Sequence, residues 1–380
     1  MKRLCVILAC LLGANLLYSQ INPFSFDLDY TFTRQGFPIG SMSGFGSSGI
    51  LNNASNLSAL NPAALGSFDM CSAGFSYEYS SPVEQVGQLY SFVKIKRPVS
   101  PLPQSVGLVV PYDNFRFGIA MSRYYNIDLT TRFSSISSGP GSPEWKYSAG
   151  IEQYSAIASY AIPNTGLALG LGFNLNSFHQ KQIDDLMVYY LSFSSTYRRS
   201  EYDNPVYSTN WHLGALYRFD FSNSNYLKLG LAYESAFEFD NVIDISSVDD
   251  NPAYKYNITA KLPGKLKFDS EMKVRDNFRL LASVSETFWK NANEKSGNIV
   301  FSSLGGLYNL NAVSAVSFGA ALSDNVSFGE GGNSDIVYLY AGINTYYKFL
   351  NFDLSVADSH VSKNEAFKQT FIKFALGFRY

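Results

Sequence analysis

The sequence predicts an all-β chain, a transmembrane antiparallel β-barrel that follows an N-terminal plug segment. Three observations predict it: apolar and polar residues alternate with period 2 in one segment after another, aromatics are abundant where charges are scarce, and the chain ends on an alternating aromatic strand. Aromatic residues make up 16% of the chain, with 30 Phe and 27 Tyr, and charged residues only 16%. A soluble domain carries about 25% charged residues. Mean hydropathy is −0.05. Past the first twenty residues no window holds the roughly 18 apolar residues of a membrane helix. Few charges without a long apolar run fit a sheet whose alternate residues face lipid.

The alternation is explicit. Trp211, Leu213, Ala215, Tyr217 and Phe219 oppose Asn210, His212, Gly214, Leu216, Arg218 and Asp220. Leu227, Leu229, Leu231 and Tyr233 oppose Lys228, Gly230, Ala232 and Glu234; Leu266, Phe268, Ser270, Met272 and Val274 oppose Lys267, Asp269, Glu271, Lys273 and Arg275. Leu167, Leu169, Leu171, Phe173 and Leu175 oppose Ala168, Gly170, Gly172, Asn174 and Asn176. Successive strand side chains point to opposite faces, whereas a helix would mix these two sets. A soluble β-sandwich would alternate too, but it explains neither the N-terminal export features nor the number of strands. Roughly 14 to 16 such segments lie between Met70 and Tyr380.

Turn residues separate them at Pro111-Tyr-Asp113-Asn114, Ser222-Asn-Ser224-Asn225, Asp276-Asn277 and Ser323-Asp324-Asn325. Longer polar stretches at Ser134–Trp145, Arg198–Pro205, Asp240–Pro252 and Ser359–Lys368 read as loops at the opposite end. Tyr124-Tyr125, Tyr189-Tyr190 and Tyr346-Tyr347 fall near strand ends and are expected in an interfacial girdle. Lys94, Lys96 and Arg97 close a strand and mark its membrane boundary. The last strand carries Ile372, Phe374, Leu376, Phe378 and Tyr380 on one face, the pattern that outer-membrane assembly machinery reads.

The N-terminus divides into two parts. Lys2 and Arg3 precede the apolar run Leu4 to Leu17, and Tyr18-Ser19-Gln20 closes it, so residues 1–20 read as a signal peptide. Cys5 and Cys10 leave with it, and Cys71 remains without a partner for a disulfide. Residues 21–66 lack sustained alternation and are rich in glycine, yet Phe24, Phe26, Phe37, Ile39, Met42, Phe45, Ile50, Leu51, Leu57 and Leu60 argue for burial. That balance predicts a plug rather than a tail, with a short helix over Ile50 to Leu65 that Pro62 interrupts. Residues 67–380 form the barrel.

Sites for other chemistry are thin. Net charge is −2, which leaves no basic footprint for nucleic acid. His179, His212 and His360 lie far apart without Cys or carboxylates at metal spacing. His212 reads as a lumen-facing residue and not as part of a catalytic pair. Gly329-Glu-Gly-Gly332 lacks the lysine of a phosphate loop, and Asp184-Asp185 and Asp249-Asp250 read as solvated turns. No enzyme activity, metal or cofactor is expected.

One stretch carries a resemblance. Gly49-Ile-Leu-Asn-Asn-Ala54-Ser-Asn-Leu-Ser-Ala-Leu-Asn61-Pro62-Ala63-Ala-Leu65 resembles the plug signature of the FadL/TodX outer-membrane transporters of fatty acids and aromatic hydrocarbons. There, small residues lead to Asn-Pro-Ala just before the first strand. Leu262-Pro263-Gly264-Lys265-Leu266, followed by Asp276-Asn277 and Trp289, is similar to that family's later barrel. The chain departs from it in having Ala59-Leu60 before the asparagine, and in its long loops. The resemblance implies about 14 strands in the outer membrane of a Gram-negative bacterium, with the N-terminal segment as a hatch held by Asn61, Pro62 and Ala63. It implies passive uptake of a hydrophobic compound into a pocket above the hatch, where Phe37, Met42 and Phe45 are candidate contacts, and release sideways beside a kinked strand. Fatty acid-like molecules, outer-membrane lipid and the assembly machinery are the partners so implied. The competing expectation is a non-transporting barrel that anchors a secretion or surface-attachment complex.

Overall fold

A computed structural model describes residues 54–59, 61–81, 83–86, 91–96, 103–133, 144–185, 205–221, 225–245, 254–292, 297–327, 333–361 and 369–380. Its wall is made of β1 (Ser72–Ser80), β2 (Val83–Val86), β3 (Ser91–Lys96), β4 (Ser105–Tyr112), β5 (Phe115–Phe133), β6 (Glu144–Ala161), β7 (Leu167–Asp185), β8 (Val206–Asp220) and β9 (Tyr226–Glu234). It continues through β12 (Lys265–Arg275), β13 (Phe278–Thr287), β14 (Ile299–Asn309), β15 (Ser314–Ser327), β16 (Asn333–Tyr347), β17 (Leu350–Asp358) and β18 (Thr370–Arg379). A hairpin of β10 (Phe237–Ile245) and β11 (Tyr254–Leu262) forms a separate two-stranded sheet, and a single helical turn α1 (Trp289–Ala292) follows β13.

The pairings are antiparallel, and those of β1 with β18 and of β5 with β6 close the sheet on itself. Closure removes the edge strands that lipid could not satisfy. β1 with β2, and β3 with β4, are each one interrupted strand, so the wall is a closed 14-strand barrel. Turns of two to five residues join strands at one end, at Asp113-Asn114 and Asp276-Asn277 among others. Both sites match the turn residues read in the sequence. Phe221 N donates to Asn225 O at 3.0 Å to close the β8–β9 turn.

The outside is apolar, and the inside carries most of the buried polar side chains beside apolar clusters, unlike the dry core of a soluble sandwich. Phe268 is 45% exposed while its neighbour Asp269 is 0% exposed. Leu169, Leu171 and Phe173 face outward; Asn174 and Asn176 are buried inside. On the C-terminal strand Ile372, Phe374 and Phe378 are exposed and Lys373 is buried. A buried ion must be paired, and inside the barrel it is. Glu271 accepts from Tyr226 Oη at 2.5 Å, Lys228 Nζ at 3.4 Å and an Arg279 Nη at 3.3 Å. Tyr112, Phe221, Tyr347, Phe349 and Tyr380 are exposed around the short-turn end, where an aromatic girdle belongs.

Several local expectations change. Ser323-Asp324-Asn325 is not a turn: it lies in β15, where the register slips between Ser323 and Val326, so the polar cluster makes a bulge. Asp240 begins no loop but continues β10, and Asp184-Asp185 end β7 rather than sitting in a turn. Trp145 belongs to β6. Tyr124 is not at a strand end; it sits at a bulge inside β5, and its ring packs against Phe237. Tyr346-Tyr347 do close β16, and Arg379 stacks on Tyr346 with its guanidinium 5.0 Å from the ring centre. Residues 1–20, Tyr189-Tyr190, Asp249-Asp250 and Gly329–Gly332 lie outside the described residues.

Candidate functional site

Residues 54–59 and 61–68 lie inside the barrel, on the lumen face of the wall near the short-turn end. They form two 3-10 turns, Ala54–Ala59 and Pro62–Ser67. Pro62 opens the second turn instead of breaking one helix, because a first-turn proline lacks only an N–H that would go unpaired. Asn61 caps that turn. Its Oδ1 accepts from Ala63 N at 2.9 Å, and its Nδ2 donates to Ala215 O and Leu231 O, each at 3.1 Å. The two carbonyls belong to β8 and β9, so one amide ties the segment to two wall strands. Only an amide both donates and accepts here; a carboxylate could not serve the carbonyls.

The wall is shaped to receive it. Gly170 on β7 and Gly214 on β8 are register partners. A Cβ at Gly214 would collide with Asn61 Oδ1, and one at Gly170 with the Pro62–Ala63 backbone. The missing side chains make a notch in which the segment's main chain touches the sheet. Further anchors surround it: Ser105 Oγ donates to Ser55 O, Arg116 Nε to Phe68 O, Ser159 Oγ to Ala63 O at 3.3 Å, and Lys373 Nζ to Asn56 Oδ1 at 2.8 Å. Leu57, Leu65 and Phe68 pack with Val109 and Ile157. Burying each such side chain contributes about 1.5–3 kcal/mol.

Toward the long-loop end, the lumen face of β6 to β9 carries a ladder of polar side chains. Gln153 Nε2 donates to Asn176 Oδ1 at 3.1 Å, Asn176 Nδ2 to Asn210 Oδ1 at 2.9 Å, and Asn210 Nδ2 to Glu234 Oε1 at 3.0 Å. His212 is buried on the same face, 3.2 Å from Asn174 Nδ2 through its Nδ1. It packs over Gly172. Among the described residues no group of three His, Cys, Asp or Glu is placed to hold a metal.

Beyond the ladder, described apolar side chains of β6 and β7 are buried. Phe178 and Ile151 are register partners and both buried. Phe239 of the β10–β11 hairpin packs on Phe178 with the rings tilted and their centres 5.4 Å apart, and Phe237 meets Tyr124 edge-on at 6.1 Å. Leu262 is buried beside Phe237, its register partner.

Among the described residues, the pairing of β1 with β4 stops next to Tyr124. β4 pairs with β1 only from Ser72 to Ser76, whereas β18 accompanies β1 through Ser80. Gln104 closes the paired part: its N donates to Ser76 O at 2.7 Å and its side chain to Arg123 O at 2.7 Å. Among the described residues, Tyr77 to Ser80 have no strand partner on that side.

Of the residues singled out in the sequence, Asn61, Pro62 and Ala63 are brought together against the wall. Phe37, Met42 and Phe45 lie outside the described residues. The glycine notch and the aromatic cluster were not anticipated. Both left a trace: Phe178 breaks the small-and-polar face that runs Gly170, Gly172, Asn174, Asn176.

No family model matches the chain, and no curated protein matches it by sequence. Solved structures do. The Ralstonia pickettii toluene transporter TbuX aligns with a TM-score of 0.65 at 14% identity, over 91% of this chain and 98% of that one. A Pseudomonas aeruginosa FadL homologue aligns at 0.59 and 13%, over 91% and 99%. The Pseudomonas putida toluene transporter TodX aligns at 0.59 and 13%, over 89% and 96%. The chain therefore has the fold of the FadL/TodX-type outer-membrane channels.

Proposed function

We propose that this chain is a passive outer-membrane channel for hydrophobic small molecules in a Gram-negative cell. One observation carries the reading: an aromatic cluster of Tyr124, Phe178, Phe237 and Phe239 sits inside the lumen, above a segment that is bonded to the wall near the short-turn end. A water-filled porin has no use for buried phenylalanines facing its pore. An apolar solute has, because each square ångström of its surface removed from water stabilises binding by about 25 cal/mol. The toluene transporters that share the fold agree with this reading. The short-turn end is then periplasmic, and residues 21–66 act as the hatch. Phe37, Met42 and Phe45 remain candidate ligand contacts on their apolar character and the resemblance. Solute leaves sideways through the interruption beside β1, into outer-membrane lipid. The aromatic C-terminal strand is the signal for the assembly machinery.

The test is uptake in cells, since the lipopolysaccharide leaflet is the barrier that matters. A Gram-negative strain lacking hydrocarbon channels, expressing this chain at the surface, should accumulate radiolabelled toluene or oleate faster than the empty strain. Equal initial rates with the barrel present and folded would overturn the reading.

A further inference from the structure

We propose that the β10–β11 hairpin is a built-in competitor for the solute. Its Phe237 and Phe239 occupy a binding patch on the lumen wall made by Tyr124, Ile151 and Phe178, and an uncharged aromatic ring takes their place when the hairpin swings inward off the wall. The proposal rests on the transport reading and names where, and against what, the solute binds.

The hairpin is built to move as a unit. It forms its own two-stranded sheet, separate from the barrel. Both strands leave the wall at one level, just past the last β9–β12 pair, Glu234 with Lys265. Short or ring-constrained residues stand at the two departures, Ser235-Ala236 and Pro263-Gly264. The base is pinned: Ser235 N donates to Trp211 O at 2.9 Å, and Phe288 N to Gly264 O at 3.0 Å. Motion is thereby confined to what lies beyond.

Its faces differ. Phe237, Phe239 and Leu262 are buried, whereas Glu238 and Lys261 pair at 3.8 Å with both side chains 56% exposed. The ring contacts at 5.4 and 6.1 Å are aromatic pairs, which attract beyond their area burial. The Phe239 ring and one small aromatic solute bury similar apolar area, so on Phe178 each offers a similar hold. The wall patch itself needs an apolar cover, since Phe178 and Ile151 interrupt a lumen face of glycine, serine and amide side chains. A phenyl group covers it now, so a phenyl-sized ring is the ligand it fits. The bordering Gln153, Asn176 and Asn210 are uncharged, and Glu234 faces Lys265, so this rim selects for no net charge.

The sign of one mutant decides the matter. Full-length protein in nanodiscs is titrated with 1-N-phenylnaphthylamine, a neutral apolar fluorophore, with empty nanodiscs subtracted. Phe239→Ala removes the competitor and should bind the probe about 3- to 10-fold more tightly than wild type. Phe178→Ala removes the patch and should bind it several-fold more weakly. Phe239→Leu should fall between wild type and Phe239→Ala, and serves if the alanine variant does not fold, which heat-modifiable gel mobility reports. Weaker binding in Phe239→Ala would make Phe239 part of the pocket and overturn the proposal, as would binding equal to wild type. In either case cellular uptake by the wild type would leave the transport reading standing. If no variant binds the probe and the wild type also fails in uptake, both fall.

Discussion

Replacing Asn61 with alanine tests how the N-terminal segment is held. The side chain is 1% exposed and makes three hydrogen bonds, to Ala63 N, Ala215 O and Leu231 O. Two of these reach the wall, and each contributes about 0.5–1.5 kcal/mol net, so their loss should weaken docking by about 1–3 kcal/mol. At about 1.4 kcal/mol per decade, the undocked population rises roughly 5- to 150-fold. Hydrogen exchange read by mass spectrometry reports it directly. Ala64 N and Phe68 N are protected by bonds to Asn61 O and Leu65 O, and both should exchange faster by that factor. The β1–β18 amides should be unchanged, because the barrel closes without Asn61. Asn61→Asp keeps the acceptor for Ala63 but loses both donors, and should be at least as disruptive. Unaltered exchange at Ala64 and Phe68 in the alanine variant would refute the anchoring role.

Four further substitutions probe other parts of the structure. Gly214→Val fills the notch where Asn61 seats, so the barrel should still show a heat-modifiable band while sugars begin to leak through it; a tight channel would contradict the notch. Tyr380→Asp should abolish assembly and leave protein in the periplasm, and normal surface levels would contradict the reading of the last strand. Glu271→Gln leaves Lys228 and Arg279 without their counter-charge and should cost about 1–3 kcal/mol in urea unfolding, discounted because those cations are partly exposed. Asp220→Asn, which breaks the exposed pair with Arg218, should change stability by no more than about 0.5 kcal/mol in the same assay.

The barrel was legible because period-2 alternation is a local signal: Leu169, Leu171 and Phe173 announce a lipid face whatever the strands beside them do. The turns at Asp113-Asn114 and Asp276-Asn277 were legible for the same reason, since their chemistry is written in two residues. Ser323-Asp324-Asn325 misled because the same residue types suit a bulge as well as a turn, and only the partner strand β16 decides. The hairpin was missed because Asp240 and the acidic stretch after it read as loop, while the burial of Phe237 and Phe239 depends on Phe178 some sixty residues earlier in the chain. Asn61-Pro62-Ala63 could be picked out by resemblance. Its partners could not, because Ala215 and Leu231 contribute carbonyl oxygens and Gly170 and Gly214 contribute the absence of a side chain.

The most direct test of a plugged lumen is to remove the plug. A chain lacking residues 21–68 but keeping residues 1–20 should assemble, because every wall strand is retained. Reconstituted beside the full-length protein, it is assayed by swelling of liposomes in arabinose and by conductance across planar bilayers. The full-length chain should be nearly closed to sugar, and the shortened one should swell its liposomes quickly and conduct in large open steps. If both are equally tight, the segment is not what closes this barrel, and the account of a gated hydrophobic channel loses its gate.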